Sequence, residues 1–226
     1  MHVYLGTLTL HENLFYATRE IGRLYETGRY LHNYALTYAL ELAVAPYFHR
    51  EQVPRYAEQL TPLNARGIYV TPARGIAVSY VLNTFKYANN LYHVEMEKGR
   101  LNTPSFGRAK ELAVESRFLF AVLSAREELT LPNWIRLGLW RSKARIEWEV
   151  AEASQREEES LEASLPMNPL DLPIERLTTF DLISMPPGSL LDHVRLTSKW
   201  WFAETERGKY VFPVGLSYVF PESMRS

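Results

Sequence analysis

The sequence predicts an α+β fold: an antiparallel, ferredoxin-like sheet with helices, a long insertion made of hairpins, and a C-terminal β-hairpin. Three observations predict it. An apolar, β-branched run at residues 2–10 is followed by a loop rich in Arg, Tyr and Gly and then by a helical pattern. Proline and glycine cut the middle of the chain into short apolar runs, and the tail alternates around an Arg-Gly turn. With 226 residues, 46% of them hydrophobic, the chain can bury a substantial core and reads as one domain, 1–226.

Each element has its own warrant. The run HVYLGTLTL lacks clean alternation, which predicts a strand covered on both faces. Leu31, Tyr34, Ala35, Tyr38, Ala39 and Leu42 recur at helical spacing, with Asn33 as the expected cap and Pro46 as the stop. That predicts a helix over about residues 33–45. The segments LTPLNARG, VTPARG and LNTPSFG mark turns around the apolar runs 67–70 and 76–82, so about residues 46–115 read as an insertion. Residues 118–123 predict a core strand. Ile146, Trp148 and Val150 alternate with Arg145, Glu147 and Glu149, which predicts a half-buried strand. About residues 152–170 hold five glutamates from Glu152 to Glu162 and read as an acidic linker or surface loop. The stretch SKWWFAETERGKYVFPVG reads as a hairpin turning near Arg207 and Gly208.

Composition removes whole classes of chemistry. Without cysteine there are no disulfides, zinc ribbons, iron–sulfur clusters or thiol nucleophiles, and a reducing, cytoplasmic setting is expected. The start lacks a secretory signal, and no membrane partner is expected. The six histidines, at 2, 11, 32, 49, 93 and 193, fall at no metal-ligand spacing. Motifs for nucleotide hydrolysis, dinucleotide binding and a nucleophile elbow are all missing. No cofactor, no metal and no catalytic activity are expected.

What remains is charge, sorted along the chain although the net is −1. Residues 60–110 carry seven basic side chains against two acidic, residues 134–146 carry four against none, and residues 147–175 carry one against nine. Basic segments that converge would form a phosphate-binding face. Single-stranded RNA is held by cations on phosphates, by aromatic or guanidinium planes on bases, and by backbone at glycines. Three segments supply those types. Residues 19–32 offer Arg19, Arg23, Arg29, Tyr25, Tyr30 and His32 beside Gly22 and Gly28; NTPSFGRAK offers Phe106, Gly107, Arg108 and Lys110; RLGLWRSKAR offers Trp140, Arg141 and Lys143. Lys86 joins them from the first basic run. An enzymatic alternative uses His32 as acid or base, with Tyr25, Tyr30 or Tyr34 and Arg23, for metal-independent RNA cleavage. A protein–protein scaffold with an aromatic interface is the third reading.

The blocks LFYATREIGRLYETGRYLHNYALTYAL, PLNARGIYVTPARG, YVLNTFKYANN, NTPSFGRAKELAVESRFLF and WIRLGLWRSKA, in order over about residues 3–150, closely resemble the handle-binding subunit of type I-D CRISPR effector complexes, the Csc-type member of the Cas-five group. The resemblance implies a modified RRM-like domain with a thumb-like β-hairpin, non-catalytic in most subtypes. It implies binding of the CRISPR RNA 5′ handle at one end of a filament of Cas-seven-type subunits. It also implies docking of the large subunit, near the protospacer-adjacent motif of target DNA, with guide pairing reading the target. Where the group's pattern has a basic residue after the glycine at 138, this chain has Leu139 and carries Arg141 two positions on. In a strand those two positions share a side, whereas in a loop they do not. One subtype cuts precursor RNA with its Cas-five-type subunit, which keeps His32 and its tyrosines as the nuclease alternative.

Overall fold

The computed structural model describes residues 1–43, 54–86, 94–95, 103–104, 106–126, 128–172 and 176–221. In chain order the elements are β1 (His2–Leu10), β2 (Arg19–Ile21), β3 (Leu24–Glu26), β4 (Tyr30–Leu31), α1 (Asn33–Ala39), α2 (Tyr56–Arg66), β5 (Ile68–Val70), β6 (Ala73–Ala77) and β7 (Tyr80–Lys86). They continue with β8 (Val94–Glu95), β9 (Thr103–Pro104), β10 (Phe106–Leu112), β11 (Arg117–Ser124), β12 (Trp134–Leu137), β13 (Ser142–Glu152), β14 (Ser154–Glu162), β15 (Leu177–Ile183), β16 (Leu190–Thr205) and β17 (Gly208–Pro213). The chain is a mostly-sheet α+β protein.

The main sheet runs β12-β13-β1-β11-β6-β4, with β5 also on β11, and its pairs are antiparallel. The strand β1 lies between β11 and β13, so Val3, Leu5 and Leu8 are all buried. That is the doubly covered strand its lack of clean alternation predicts. Phe118, Phe120 and Ile146 pack beside it, and the tail adds Trp200, Phe212 and Tyr218 to the same core. A second sheet orders β2-β3-β10-β7, and a C-terminal sheet pairs β16 with β14 on one edge and with β15 and β17 on the other. The predicted C-terminal hairpin is β16–β17, with Thr205 opposite Gly208 across the turn.

Three expectations need correction. The first helix starts at residue 33 as expected but has a different cap and ends early: His32 is its cap, its Nδ1 accepting the Tyr34 N–H at 3.3 Å, and the helix stops at Ala39. Asn33 is unavailable as a cap because its buried amide donates to Asp171 at 3.1 Å, and Glu41 takes a left-handed φ of 59° that ends the helical path. Pro46 lies outside the described residues. The segment LTPLNARG is the second half of α2 rather than a turn, with Pro62 inside it on the exposed side and Gly67 closing it at φ 70°. On the solvent side, water can take the carbonyl that proline leaves free, while Leu60 and Leu63 anchor the buried side.

The expected insertion, about residues 46–115, is shared between the sheets. From it, α2, β5 and β6 belong to the core, and only β7 and β10, with β8 and β9, extend away from the main sheet's ladder. They prolong β6 and β11 beyond a joint at residues 78–79 and 113–116, which splits the apolar run 76–82 between two strands. Finally, the acidic stretch includes a strand, β14, because β16 offers a ladder and a place for Arg156 over the Phe202 ring at 4.0 Å. Exposed glutamates on such an edge discourage further strand pairing.

Candidate nucleic-acid interface

The second sheet begins with a tight hairpin. Ile21 pairs with Leu24 across Gly22 and Arg23, and Gly22 supplies the left-handed φ of 60° that the turn needs. The strand β3 then lies parallel to β10, placing Leu24 opposite Arg108, Tyr25 opposite Ala109 and Glu26 opposite Lys110. On the other side of β10, β7 sets Leu82 opposite Lys110 and Lys86 opposite Phe106.

Directly opposed residues share a face of a sheet, so this register sorts the candidates. One face carries Arg19, Glu26, Phe106, Arg108 and Lys110, and Lys86 occupies a position in the same row as Phe106. The opposite face carries Tyr25, 6.2 Å from the Phe85 ring, above Gly107 and the buried Ala109. Gly107 is needed there, since a Cβ would sit 2.6 Å from Phe85.

The cationic face is assembled from loose contacts. Arg23 at the hairpin tip lies over Phe106 at 5.5 Å, and Lys110 lies 4.4 Å over Tyr80. Glu26 accepts from Arg19 Nε at 2.9 Å and from Lys110 at 3.3 Å, and these two cations, Arg19 foremost, hold its carboxyl below the usual range. Exposed pairs of this kind contribute little to stability and exchange readily for phosphate. At the foot of the face opens a cleft of about 410 Å³, lined by Thr18, Arg19, Glu26, Thr27, Gly28, Arg29, Tyr30, Tyr80, Lys110, Ile183 and Ser184.

The cleft's far wall is fixed by the core. Arg29 donates to the Gly75 carbonyl at 2.9 Å. Tyr30 donates to Asp192 at 2.8 Å, where Arg74 also bonds at 3.0 Å, and burial with that carboxylate pushes its phenol up to about 12. The Tyr16 hydroxyl reaches the carbonyls of Gly28, at 2.9 Å, and Tyr30, holding the loop between sheets. Sequence reasoning missed Tyr16, Thr18, Thr27, Tyr80, Ile183 and Ser184. Tyr80 was legible as an aromatic inside the first basic run, whereas the last two arrive from a distant strand with no local signal.

His32 lies elsewhere. It is 3% exposed, its ring centroid is 4.5 Å from that of buried Tyr34, and burial pushes its imidazole down to about 4. Of the residues named for the acid–base alternative, Tyr34 lies beside His32, whereas Tyr25 sits on the second sheet and Arg23 at its tip. Trp140, Arg141 and Lys143 form a separate cluster at the β12–β13 hairpin. Residues 138–141 are a turn, with Gly138 at φ 72° and Arg141 at φ 55°, so the positions of Leu139 and Arg141 are not related as in a strand. Trp140 is 54% exposed and stacks on Phe15 at 4.8 Å, and Lys143 lies 4.3 Å over Trp134. Among the described residues no group of His, Asp and Glu could hold a metal ion, and no helix is long and apolar enough to cross a membrane.

The model of the type I-D CRISPR-associated protein Cas5/Csc1 family matches residues 1–221. The chain belongs to that family. No curated protein matches this Cas5/Csc1-family chain. Among solved structures it is similar to a chain in the cryo-EM structure of the Type III-B Cmr-beta bound to cognate target RNA and AMPPnP, state 1, with a TM-score of 0.45 and 9% identity over 85% of this chain and 86% of that one.

Proposed function

We propose that this Cas5/Csc1-family protein is a non-catalytic subunit of the type I-D effector complex that grips the 5′ handle of the CRISPR RNA on its second sheet. One observation carries the reading: the register gathers Arg19, Phe106, Arg108 and Lys110 on one face, under Arg23 and above an open cleft. Phosphates take the guanidinium and ammonium groups, and bases stack on Phe106 and Tyr80. In this reading the main sheet is a modified RRM-like core and the second sheet its thumb. The subunit works in the cytoplasm, caps the filament of Cas-seven-type subunits and docks the large subunit near the protospacer-adjacent motif of target DNA.

The nuclease alternative rests on His32, whose burial and capping role leave it without access to a ribose hydroxyl. The experiment is a titration of handle RNA against the full chain and its assembled complex. Arg23→Glu and Arg108→Glu are expected to weaken binding and flatten its salt dependence. Unchanged affinity in both would refute the reading, and cleavage of a repeat transcript in EDTA that is lost in His32→Ala would restore the nuclease.

A further inference from the structure

The outer surface of the main sheet carries a second row of residues that the handle reading does not use. Across four adjacent strands, Trp134 on β12 faces Arg145 on β13, Arg145 faces Thr9 on β1, and Thr9 faces Arg117 on β11. At a strand spacing of about 4.8 Å, the row spans roughly 14 Å. One step along, Arg136 faces Lys143. The intervening residues Ile135, Ala144 and Ile146 are buried on the opposite side, so the row is set outward by the pleat.

Trp134 is 45% exposed, an unusual place for so large a ring, and it is held rather than loose. The His11 ring meets it edge-on at 4.9 Å, and Lys143 Nζ lies 4.3 Å over its centroid. Charge is sorted along β13 itself. Lys143 and Arg145 occupy the end beside Trp134, whereas Glu147 and Glu149 occupy the next outward positions, where Arg207 meets them. Glu147 marks the border, 3.7 Å from Arg145. Glu12 accepts the Lys143 backbone N–H at 2.8 Å, beside the row.

We propose that this face, centred on Trp134 with Arg117 and Arg145, is a second binding surface for single-stranded nucleic acid, separate from the second sheet. A strand crossing the row places phosphates on Arg145 and Arg117. As a phosphate draws Lys143 off the ring, Trp134 opens to stack a base, the combination by which aromatic platforms hold single strands. The joint at residues 78–79 and 113–116 divides this face from the handle face, so the two surfaces act on different segments or different strands.

The test uses the full chain with handle RNA already bound, titrated with fluorescein-labelled ten-nucleotide oligouridine and oligothymidine. Trp134→Ala, and the double change Arg117→Glu with Arg145→Glu, are each expected to weaken oligonucleotide binding about tenfold or more. Handle affinity is expected to hold, and Trp134→Phe to keep most of the binding because it keeps a ring. A preference for oligouridine identifies an RNA strand and one for oligothymidine a DNA strand, and either upholds the proposal. Unchanged oligonucleotide binding in both variants overturns it without touching the handle reading. Equal loss of handle and oligonucleotide binding also overturns it, because the face would then be part of the handle site.

Discussion

Residues 18–34 are divided between two regions that use the same residue types in opposite ways. Its first half forms the hairpin of the second sheet, where Arg19 and Arg23 are exposed, Arg19 pairing with Glu26 and Arg23 lying over Phe106. Its last residues, through the buried amide of Asn33, enter a buried polar network around Asp171. There Asp171 accepts from Tyr69 at 2.8 Å, from Asn33 at 3.1 Å and from the Val219 N–H at 3.1 Å, while Thr37 bonds the Tyr218 hydroxyl at 2.6 Å. The comparison teaches that a density of Arg, Tyr and His does not define a binding wall. On the surface, water screens the pairs and leaves them exchangeable for ligand; in the interior, each bond is fixed and its loss is costly.

The sharpest way to break the comparison is at Asp171. Removing its carboxylate strands three buried donors, so Asp171→Ala is expected to destabilise the fold by about 3 kcal/mol, read by thermal or urea unfolding. The handle-binding salt dependence of the chain that remains folded should not change. A stability loss below about 1 kcal/mol would show that the network is not what fixes the tail to α1 and β5.

Two buried groups respond to pH in opposite senses. Burial pushes the Asp171 carboxyl up to about 7, so the folded chain holds a proton that the unfolded chain has released. Its contribution is complete below about pH 4 and is lost as pH rises through 7. Burial pushes His32 down to about 4, so its contribution is complete above about 6.5 and is lost as pH falls through 4. Between pH 4 and 6.5 the two slopes oppose each other. Asp171→Asn should therefore make stability fall on acidification relative to the natural chain, and His32→Asn should make it fall on alkalinisation. Each slope is at most about 1.4 kcal/mol per pH unit. Parallel profiles in all three proteins would contradict both burial assignments.

Surface effects come next and are smaller in stability but larger in binding. Arg108→Glu is expected to cost about tenfold in handle affinity and to reduce the salt slope by about one to two. Smallest of all, Arg19→Ala removes a surface pair with Glu26 and should leave the unfolding midpoint nearly unchanged. If the surface changes cost stability and the buried ones cost only binding, the two regions have been assigned the wrong way round.

Much of the scaffold was legible because its signals are local. The apolar, β-branched run of β1, without clean alternation, marked a central strand, residues 118–123 marked β11, and Arg207 and Gly208 marked the last turn. The failures were non-local. LTPLNAR joined a helix because Leu60 and Leu63 pack on the core and because Asn64 clasps Tyr218 through both its amide atoms at 2.9 Å, against the preference of Pro62. The acidic segment became a strand because β16 lay beside it. At the candidate site, residue types put forward Arg19, Arg108, Lys110 and Tyr25 alike, but only the register shows that Tyr25 faces away from the three cations. Burial likewise placed His32 in the core, and no spacing in the sequence announces that.

The most direct measurement is crosslinking of handle RNA in the assembled complex, with the crosslinked peptides mapped residue by residue. Crosslinks are expected at Arg19, Arg23 and residues 106–110, with none at His32 or Tyr34. Crosslinks centred on residues 32–38, with none on the second sheet, would contradict the handle reading.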